Sequence, residues 1–145
     1  MTGPRVVVLG AGIVGAACAA ALADGGAEVR VLDPGRGRAA ASWAAAGILS
    51  PSHPDRLPEE VHALGARSLE LWPAIGVRHP EVELRRIGQV LIGDDPSWLA
   101  WRRARGLETT AVGRPPAGPR SRAHLFPEVQ VVRAHRVPAA LLGGI

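Results

Sequence analysis

The chain has 145 residues, of which 47% are hydrophobic, and its formal net charge is +4. A chain of this length forms one domain with a real core and is short for two, and its hydrophobic share excludes a disordered protein. The basic residues are 17 scattered arginines, accompanied by only four Trp and one Phe, so we predict no base-stacking surface and no nucleic-acid partner.

The N-terminal part has the pattern of a strand, a helix and a second strand. Arg5–Leu9 is a β-branched run without polar alternation, which is typical of a strand buried on both faces of a parallel sheet. An Ala-rich helix over Ile13–Asp24 follows, and Gly25-Gly26 closes it where a left-handed cap suits glycine. Glu28–Leu32 is the second strand. The sequence therefore predicts one βαβ unit with a right-handed crossover.

The beginning of this unit also resembles a targeting segment. Residues 6–23 are all apolar or glycine, as in a signal peptide or a membrane span. Against that interpretation, a single arginine precedes the run, and Gly10, Gly12 and Gly15 interrupt it at a spacing that needs another explanation. We therefore expect no membrane span and a cytoplasmic location.

Weaker patterns follow the βαβ unit. In chain order, the first are a loop over 35–46, a helix over 59–71 ended by Trp72-Pro73, and strands over 82–86 and 89–92 joined at Ile87-Gly88 as a hairpin or bulge. They are followed by a helix over 96–105, a loop over 113–119, a strand over 129–132 and a helix starting at Pro138. The last helix has too few residues to be stable alone, so we expect the chain to be part of a larger fold.

Cysteine and histidine usage narrows the chemistry. Cys18 is the only cysteine, so no intramolecular disulfide is possible, which fits a reducing compartment. The five histidines lack the spacing of metal ligands. We predict no metal site.

A G-x-G-x-x-G motif occupies Gly10 to Gly15, directly after the first strand and at the start of the helix. In such a motif Gly10 permits the tight turn, Gly12 lets the backbone approach a pyrophosphate, and Gly15 allows close packing of helix on strand. The helix N-terminus then directs its amides and its positive dipole end at the phosphates. Asp33 closes the second strand, where a carboxylate accepts from a ribose hydroxyl, so the pattern favours FAD or NAD over NADP.

The segment 42–51, which reads SWAAAGILSP, favours FAD. Its small side chains would let the backbone lie against a flat ring. The segment resembles one of the D-amino-acid oxidase superfamily, in which Ser or Thr and then Ala-Ala-Gly-Met/Ile run alongside the flavin. The block 6–51 is most similar to the branch that contains glycine oxidase of thiamine biosynthesis, and 87–92, 125–128 and 136–138 are similar more loosely.

The resemblance implies a site for FAD, residue by residue. It puts the pyrophosphate on the glycine motif, which comprises Gly10, Gly12, Ile13, Val14 and Gly15, and the adenosine ribose near Asp33 and Pro34. It puts Ala41 and the Ser42 hydroxyl beside the phosphates, and a strip of small residues, Ala46, Gly47 and Ile48, along the flavin. No residue is identified as catalytic.

The resemblance also implies an α/β fold that is incomplete relative to the family. We expect a Rossmann-like FAD-binding region over 1–80, part of a second, mostly antiparallel substrate-side sheet over 81–137, and the start of a helix returning to the FAD domain over 138–145.

The implied function is that of an FAD-dependent oxidoreductase that oxidises a C–N bond of a small amino acid or amine. The chain would be an N-terminal fragment, or one subunit of a split enzyme whose C-terminal half is separately encoded. The alternatives are an NAD-dependent dehydrogenase domain and a non-catalytic nucleotide-binding remnant.

Overall fold

The computed structural model describes residues 3–35, 40–50, 58–93, 95–107, 109–112 and 122–144. Its helices are α1 (Ile13–Asp24), α2 (Ala41–Ala44), α3 (Glu59–Arg78), α4 (Pro96–Ala104) and α5 (Val137–Leu142), with 3-10 turns at Pro80–Val82 and Ala134–Arg136. Its strands are β1 (Arg5–Leu9), β2 (Glu28–Leu32), β3 (Ile48–Leu49), β4 (Arg85–Arg86), β5 (Gln89–Ile92), β6 (Thr110–Ala111), β7 (Ala123–Phe126) and β8 (Gln130–Val131).

The chain divides into two compact units, and each is assembled from separate stretches of sequence. Unit 1 comprises Met1–Gly47, Ala74–Glu83 and Val132–Ile145, and unit 2 comprises Ile48–Pro73 and Leu84–Val131. The assignment of a cofactor role to 1–80 and of a substrate role to 81–137 stays a prediction. The predicted loop 113–119 lies outside the described residues.

Unit 1 contains the predicted βαβ element. Strands β1 and β2 are parallel, with Arg5 opposite Glu28 at one end of the register and Leu9 opposite Leu32 at the other. Helix α1 ends at the predicted glycines, and Gly26 takes the left-handed conformation with φ of 86°. The α/β class and the position of this element are confirmed.

The burial of β1 differs from the prediction. Val6 and Val8 are half-buried, whereas Val7 is 58% and Leu9 is 79% exposed. The expectation of a strand buried on both faces is wrong here, because helix α1 packs on one face of the β1–β2 sheet, and no described element covers the alternate side chains on the other face.

The C-terminal stretch of unit 1 returns to α1. Helix α5 packs against α1, and Ala16 and Ala19 of α1 are fully buried. Val137 and Ala140 of α5 are buried as well. These small side chains allow the two helices to approach closely.

Two predictions about helices are wrong: one short helix was not predicted, and one helix was predicted to end too early. Residues 40–46 were expected to be loop, but Ala41–Ala44 forms one helical turn in which the amides of Trp43 and Ala44 donate to the Ala40 carbonyl. Helix α3 was expected to end at Trp72-Pro73, but it continues through Pro73 to Arg78. A proline inside a helix removes one hydrogen bond, and the ladder has resumed by His79, whose amide donates to Ile75 at 2.8 Å.

Unit 2 is built on antiparallel strands, as expected for the second sheet. One sheet has the order β3-β8-β4 and the other β5-β7-β6. Of the two alternatives predicted for the junction at Ile87-Gly88, the hairpin is wrong, because β4 pairs with β8 and β5 pairs with β7. Residues 80–82 form a 3-10 turn, so the first of these strands begins only at Arg85.

The core of unit 2 lies between α4 and the sheet of order β5-β7-β6. Trp98, Phe126 and Val129 form the buried cluster, and the Trp98 and Phe126 rings meet edge to face with centroids 4.7 Å apart. Asp95 caps α4 by accepting from the Trp98 amide at 3.0 Å. Strands β3, β6 and β7 have no local sequence pattern that predicts them.

Candidate cofactor site

The glycine motif forms a tight turn between β1 and α1. Gly10 has φ of 101°, a conformation that glycine adopts readily. Its amide donates to the Leu32 carbonyl at 2.7 Å, which extends the β1–β2 pairing by one residue. The chain then enters α1 at Gly12, whose carbonyl accepts from Ala16 at 2.9 Å.

Gly15 has the packing role predicted for it. A Cβ added at this position would lie 1.9 Å from the Gly10 carbonyl oxygen and 3.5 Å from the side chain of Val8. Any larger residue would therefore force the helix away from the turn that precedes it.

Asp33 connects the end of β2 to the same turn. One carboxylate oxygen accepts from the Ala11 amide at 2.8 Å, and the other accepts from the Gly35 amide at 2.7 Å. A carboxylate has about four lone-pair sites, so it can accept several hydrogen bonds at once. Pro34, the next predicted residue, is exposed.

Ser42 reaches the N-terminus of α1 from the short helix α2. Its Oγ accepts from the Ile13 amide at 2.9 Å, and it would lie 3.2 Å from a Cβ added at Gly12. A hydroxyl that accepts a hydrogen bond still has its own hydrogen to donate. Ala41, beside it, is exposed, as is Val14 at 74%.

The small-residue strip begins in a second turn of unit 1. Gly47 has φ of 74°, and its carbonyl accepts from the Val132 amide at 2.9 Å. A Cβ on Gly47 would lie 2.1 Å from the Val132 carbonyl oxygen, so the two backbones are in direct contact. Ala46 is exposed, and Ile48 begins β3 of unit 2, where it pairs with Val131.

The electrostatics of the α1 N-terminus suit an anion. The first amides of a helix have no intrahelical acceptor, and the helix dipole places partial positive charge there. The first turn of α1 carries no acidic side chain. The backbone amides and the Ser42 hydroxyl therefore offer hydrogen-bond donors at the N-terminus of α1, where the helix dipole adds partial positive charge.

A sequence profile described as FAD dependent oxidoreductase matches residues 5–143. The chain belongs to this family. It is 37% identical over 106 residues to a glycine oxidase of Pseudomonas aeruginosa. The matched stretch covers 68% of this chain and 29% of that protein.

Solved structures share the fold. The glycine oxidase of Geobacillus kaustophilus superposes with a TM-score of 0.77 at 22% identity, over 95% of this chain and 43% of that one. An L-amino acid deaminase of Proteus myxofaciens gives 0.78 at 20% identity, over 97% of this chain and 36% of that one. The chain thus spans less than a third of the curated relative and less than half of these structures.

The residues of this family member fit a dinucleotide. The turn at Gly10 and the packing at Gly15 have the geometry that the fingerprint requires. Around it, Asp33 and Ser42 converge on the two ends of the turn through the amides of Ala11 and Ile13. That these residues bind FAD stays a prediction, as does the placement of Ala46, Gly47 and Ile48 along the flavin.

Some contributors to the site were missed from the sequence. The Gly35 amide fixes the Asp33 carboxylate, and the Asp-Pro-Gly pattern is a turn signal that could have indicated it. Val132 supports Gly47 from 85 positions along the chain, and no local pattern marks that contact.

The described ranges contain neither a membrane-spanning helix nor a candidate metal site. Within them, no helix is both long and apolar enough to cross a bilayer. Within the same ranges, no group of three or more His, Cys, Asp or Glu side chains could hold a metal ion.

Proposed function

We propose that this chain is the FAD-binding part of an oxidoreductase that oxidises a C–N bond of a small amino acid or amine. Membership of the FAD dependent oxidoreductase family supports the cofactor. The glycine oxidase relative supports an amino-acid substrate. The proposal goes beyond both, because it assigns binding to this chain itself.

One observation carries the proposal. Asp33 and Ser42 lie in different segments, yet each accepts from an amide of the turn that joins β1 to α1, at 2.8 and 2.9 Å. This arrangement puts a carboxylate and a hydroxyl on either side of a helix N-terminus. The carboxylate can accept hydrogen bonds from a ribose, and the hydroxyl and the amides can donate hydrogen bonds to a pyrophosphate.

Each residue would then have a defined task. The amides of Val14 and Gly15 and the hydroxyl of Ser42 would donate to the pyrophosphate, and Asp33 would accept from the ribose. The Gly47 turn would present backbone without side-chain bulk to the flavin edge. A bound FAD supplies the two-electron oxidation.

We assign no catalytic acid, base or carboxylate-binding residue within this chain. The curated relative is more than three times as long as the stretch that matches, since only 29% of it is covered. We propose that the residues which bind and orient the substrate belong to a further C-terminal part, either in the same polypeptide or in a separately encoded half.

The test is a binding measurement on the purified 145-residue chain. Flavin fluorescence and visible absorbance would be followed while FAD is titrated, with NAD and ADP as competitors. We expect saturable FAD binding, displacement by ADP through the shared adenosine and phosphate groups, and weaker competition by NAD.

The substrate would be tested separately from the cofactor. The FAD-loaded chain, with and without a C-terminal half of the glycine oxidase relative, would be mixed anaerobically with glycine, and bleaching of the flavin would be recorded. Bleaching that needs the added half supports the proposal. A folded chain that binds NAD but not FAD would contradict it.

A further inference from the structure

The turn at Gly47 is held in place by a part of unit 1 that has no assigned role. Val132 donates to the Gly47 carbonyl at 2.9 Å, and the next residue, Arg133, donates to the Val82 carbonyl at 2.8 Å. Consecutive amides thus point to opposite sides, as in an extended strand. The Val132–Arg133 backbone lies between the Gly47 turn and the 3-10 turn that ends at Val82.

Glu83 follows that 3-10 turn in an unusual conformation. Its φ is 50°, and it is the one non-glycine residue with positive φ in the parts of the chain that the structure describes. This region disfavours side chains with a Cβ, and Gly or Asn usually takes it. A glutamate here indicates that its side chain has a task that offsets the strain.

The side chain contacts two arginines of the facing segment. One carboxylate oxygen accepts from Arg136 Nη1 at 2.7 Å, and the other accepts from Arg133 Nε at 3.1 Å. The Arg136 guanidinium also donates to the Glu81 carbonyl at 3.1 Å. Charge-assisted bonds of this kind fix orientation as well as distance.

We propose that Glu83 is a positioning residue for the Gly47 turn and thereby for the flavin-side strip. Its carboxylate holds Arg133 and Arg136, which fixes the Val132–Arg133 backbone against which Gly47 lies. The inference rests on the proposed function, because the strip matters only if FAD lies along it. Glu83 itself would contact neither cofactor nor substrate.

Substitution at Glu83 separates positioning from folding. Glu83→Gly removes the carboxylate and relieves the positive φ, so the chain should fold at least as well as the wild type. Glu83→Gln keeps one acceptor oxygen and should be intermediate. Glu70→Gln is the matched control, because it removes an exposed glutamate that pairs with Arg67 in α3.

Amide hydrogen exchange would be measured first, without cofactor. In Glu83→Gly we expect the amides of Val132 and Arg133 to exchange about tenfold faster. The Gly10 amide, which donates to Leu32 within the βαβ element, should not change. FAD titration of the same chains should show a dissociation constant raised about tenfold and a shifted visible band of the bound flavin.

The outcomes are distinguishable. Unchanged exchange at Val132 and Arg133 in Glu83→Gly would overturn the positioning role. Faster exchange with wild-type FAD affinity and spectrum would overturn its link to the cofactor. If the wild-type chain binds no FAD, the proposed function fails, while the exchange experiment still decides whether Glu83 positions the Gly47 turn.

Discussion

The Ser42 Oγ lies 2.9 Å from the backbone nitrogen of Ile13, although the two residues are 29 positions apart. The pair joins a short helix to the N-terminus of α1, and it leaves the hydroxyl hydrogen available to a ligand. Because the same oxygen satisfies an amide of α1, the serine both completes the helix end and adds a donor to it.

Ser42→Ala should weaken FAD binding about tenfold, since a hydrogen bond to a charged phosphate contributes roughly 1.5 kcal/mol. Fluorescence titration measures the dissociation constant. Ser68→Ala, at an exposed position of α3, is the matched control and should bind as the wild type does. Equal affinity of the two variants would remove Ser42 from the site.

Gly15→Ala should destabilise the fold by about 2–3 kcal/mol or prevent folding, because the new methyl group would overlap the Gly10 carbonyl. Urea unfolding followed by circular dichroism gives the free energy. Gly144→Ala is the control, since a Cβ there meets nothing within 4 Å. A Gly15→Ala chain of wild-type stability would show that helix and turn can separate without cost.

The fully buried Arg102 stabilises unit 2 through hydrogen bonds and a ring contact. It donates to Glu128 at 2.8 Å and to Thr109 at 3.0 Å, and its guanidinium lies 3.9 Å from the centroid of the Phe126 ring. Glu128→Gln should lower the free energy of unfolding by about 3 kcal/mol, because the buried charge loses its counter-ion.

Two companion variants make the Arg102 prediction specific. The double change of Arg102→Met with Glu128→Gln should recover much of the loss, since neither charge is then buried alone. Arg103→Met, at the exposed neighbouring position, should stay within about 0.5 kcal/mol of the wild type. Both are measured by denaturant unfolding. If Arg103→Met costs as much as Glu128→Gln, burial of the pair is not the cause.

The pair of Asp24 and Arg78 predicts a pH dependence. Hydrogen bonding to Arg78, and then the attraction of its charge, lower the pKa of the Asp24 carboxyl below its ordinary value of 3.8. A carboxyl with a lower pKa in the folded state adds stability above its unfolded pKa, and this contribution is lost as the pH falls through the folded pKa.

Asp24→Asn should therefore lower the thermal unfolding midpoint at neutral pH, and the difference from the wild type should vanish as the pH falls below 3.8. The effect should be small and should shrink in salt, because both side chains are more than half exposed. Arg78→Gln should abolish the same pH dependence. If the difference in unfolding midpoint between Asp24→Asn and the wild type increased as the pH fell, the assignment of the effect to this ion pair would be wrong.

The sequence was sufficient for the elements whose signals are local. β1, α1 and β2 were located to the residue, because a β-branched run, a glycine turn and an Ala-rich helix each have a pattern within a few positions. The family followed from the same stretch and from 42–51.

The remaining features depend on distant partners. Strand β3 has only two residues, and it exists because it pairs with β8 across about 80 positions. A left-handed Glu83 and a helix that continues past Pro73 run against local preference, so no propensity would indicate them. Likewise, the sequence placed Asp33 and Ser42 beside a cofactor, but not in contact with the amides of Ala11 and Ile13.

The interleaving of the two units affects how the protein is made. Unit 1 includes α5, which packs on α1 and follows all of unit 2 in the chain. The βαβ element therefore emerges long before its covering helix, and its apolar surface stays unprotected while all of unit 2 is synthesised. Unit 2, whose stretches end at Val131, can finish folding first, so the order of folding reverses the order of translation.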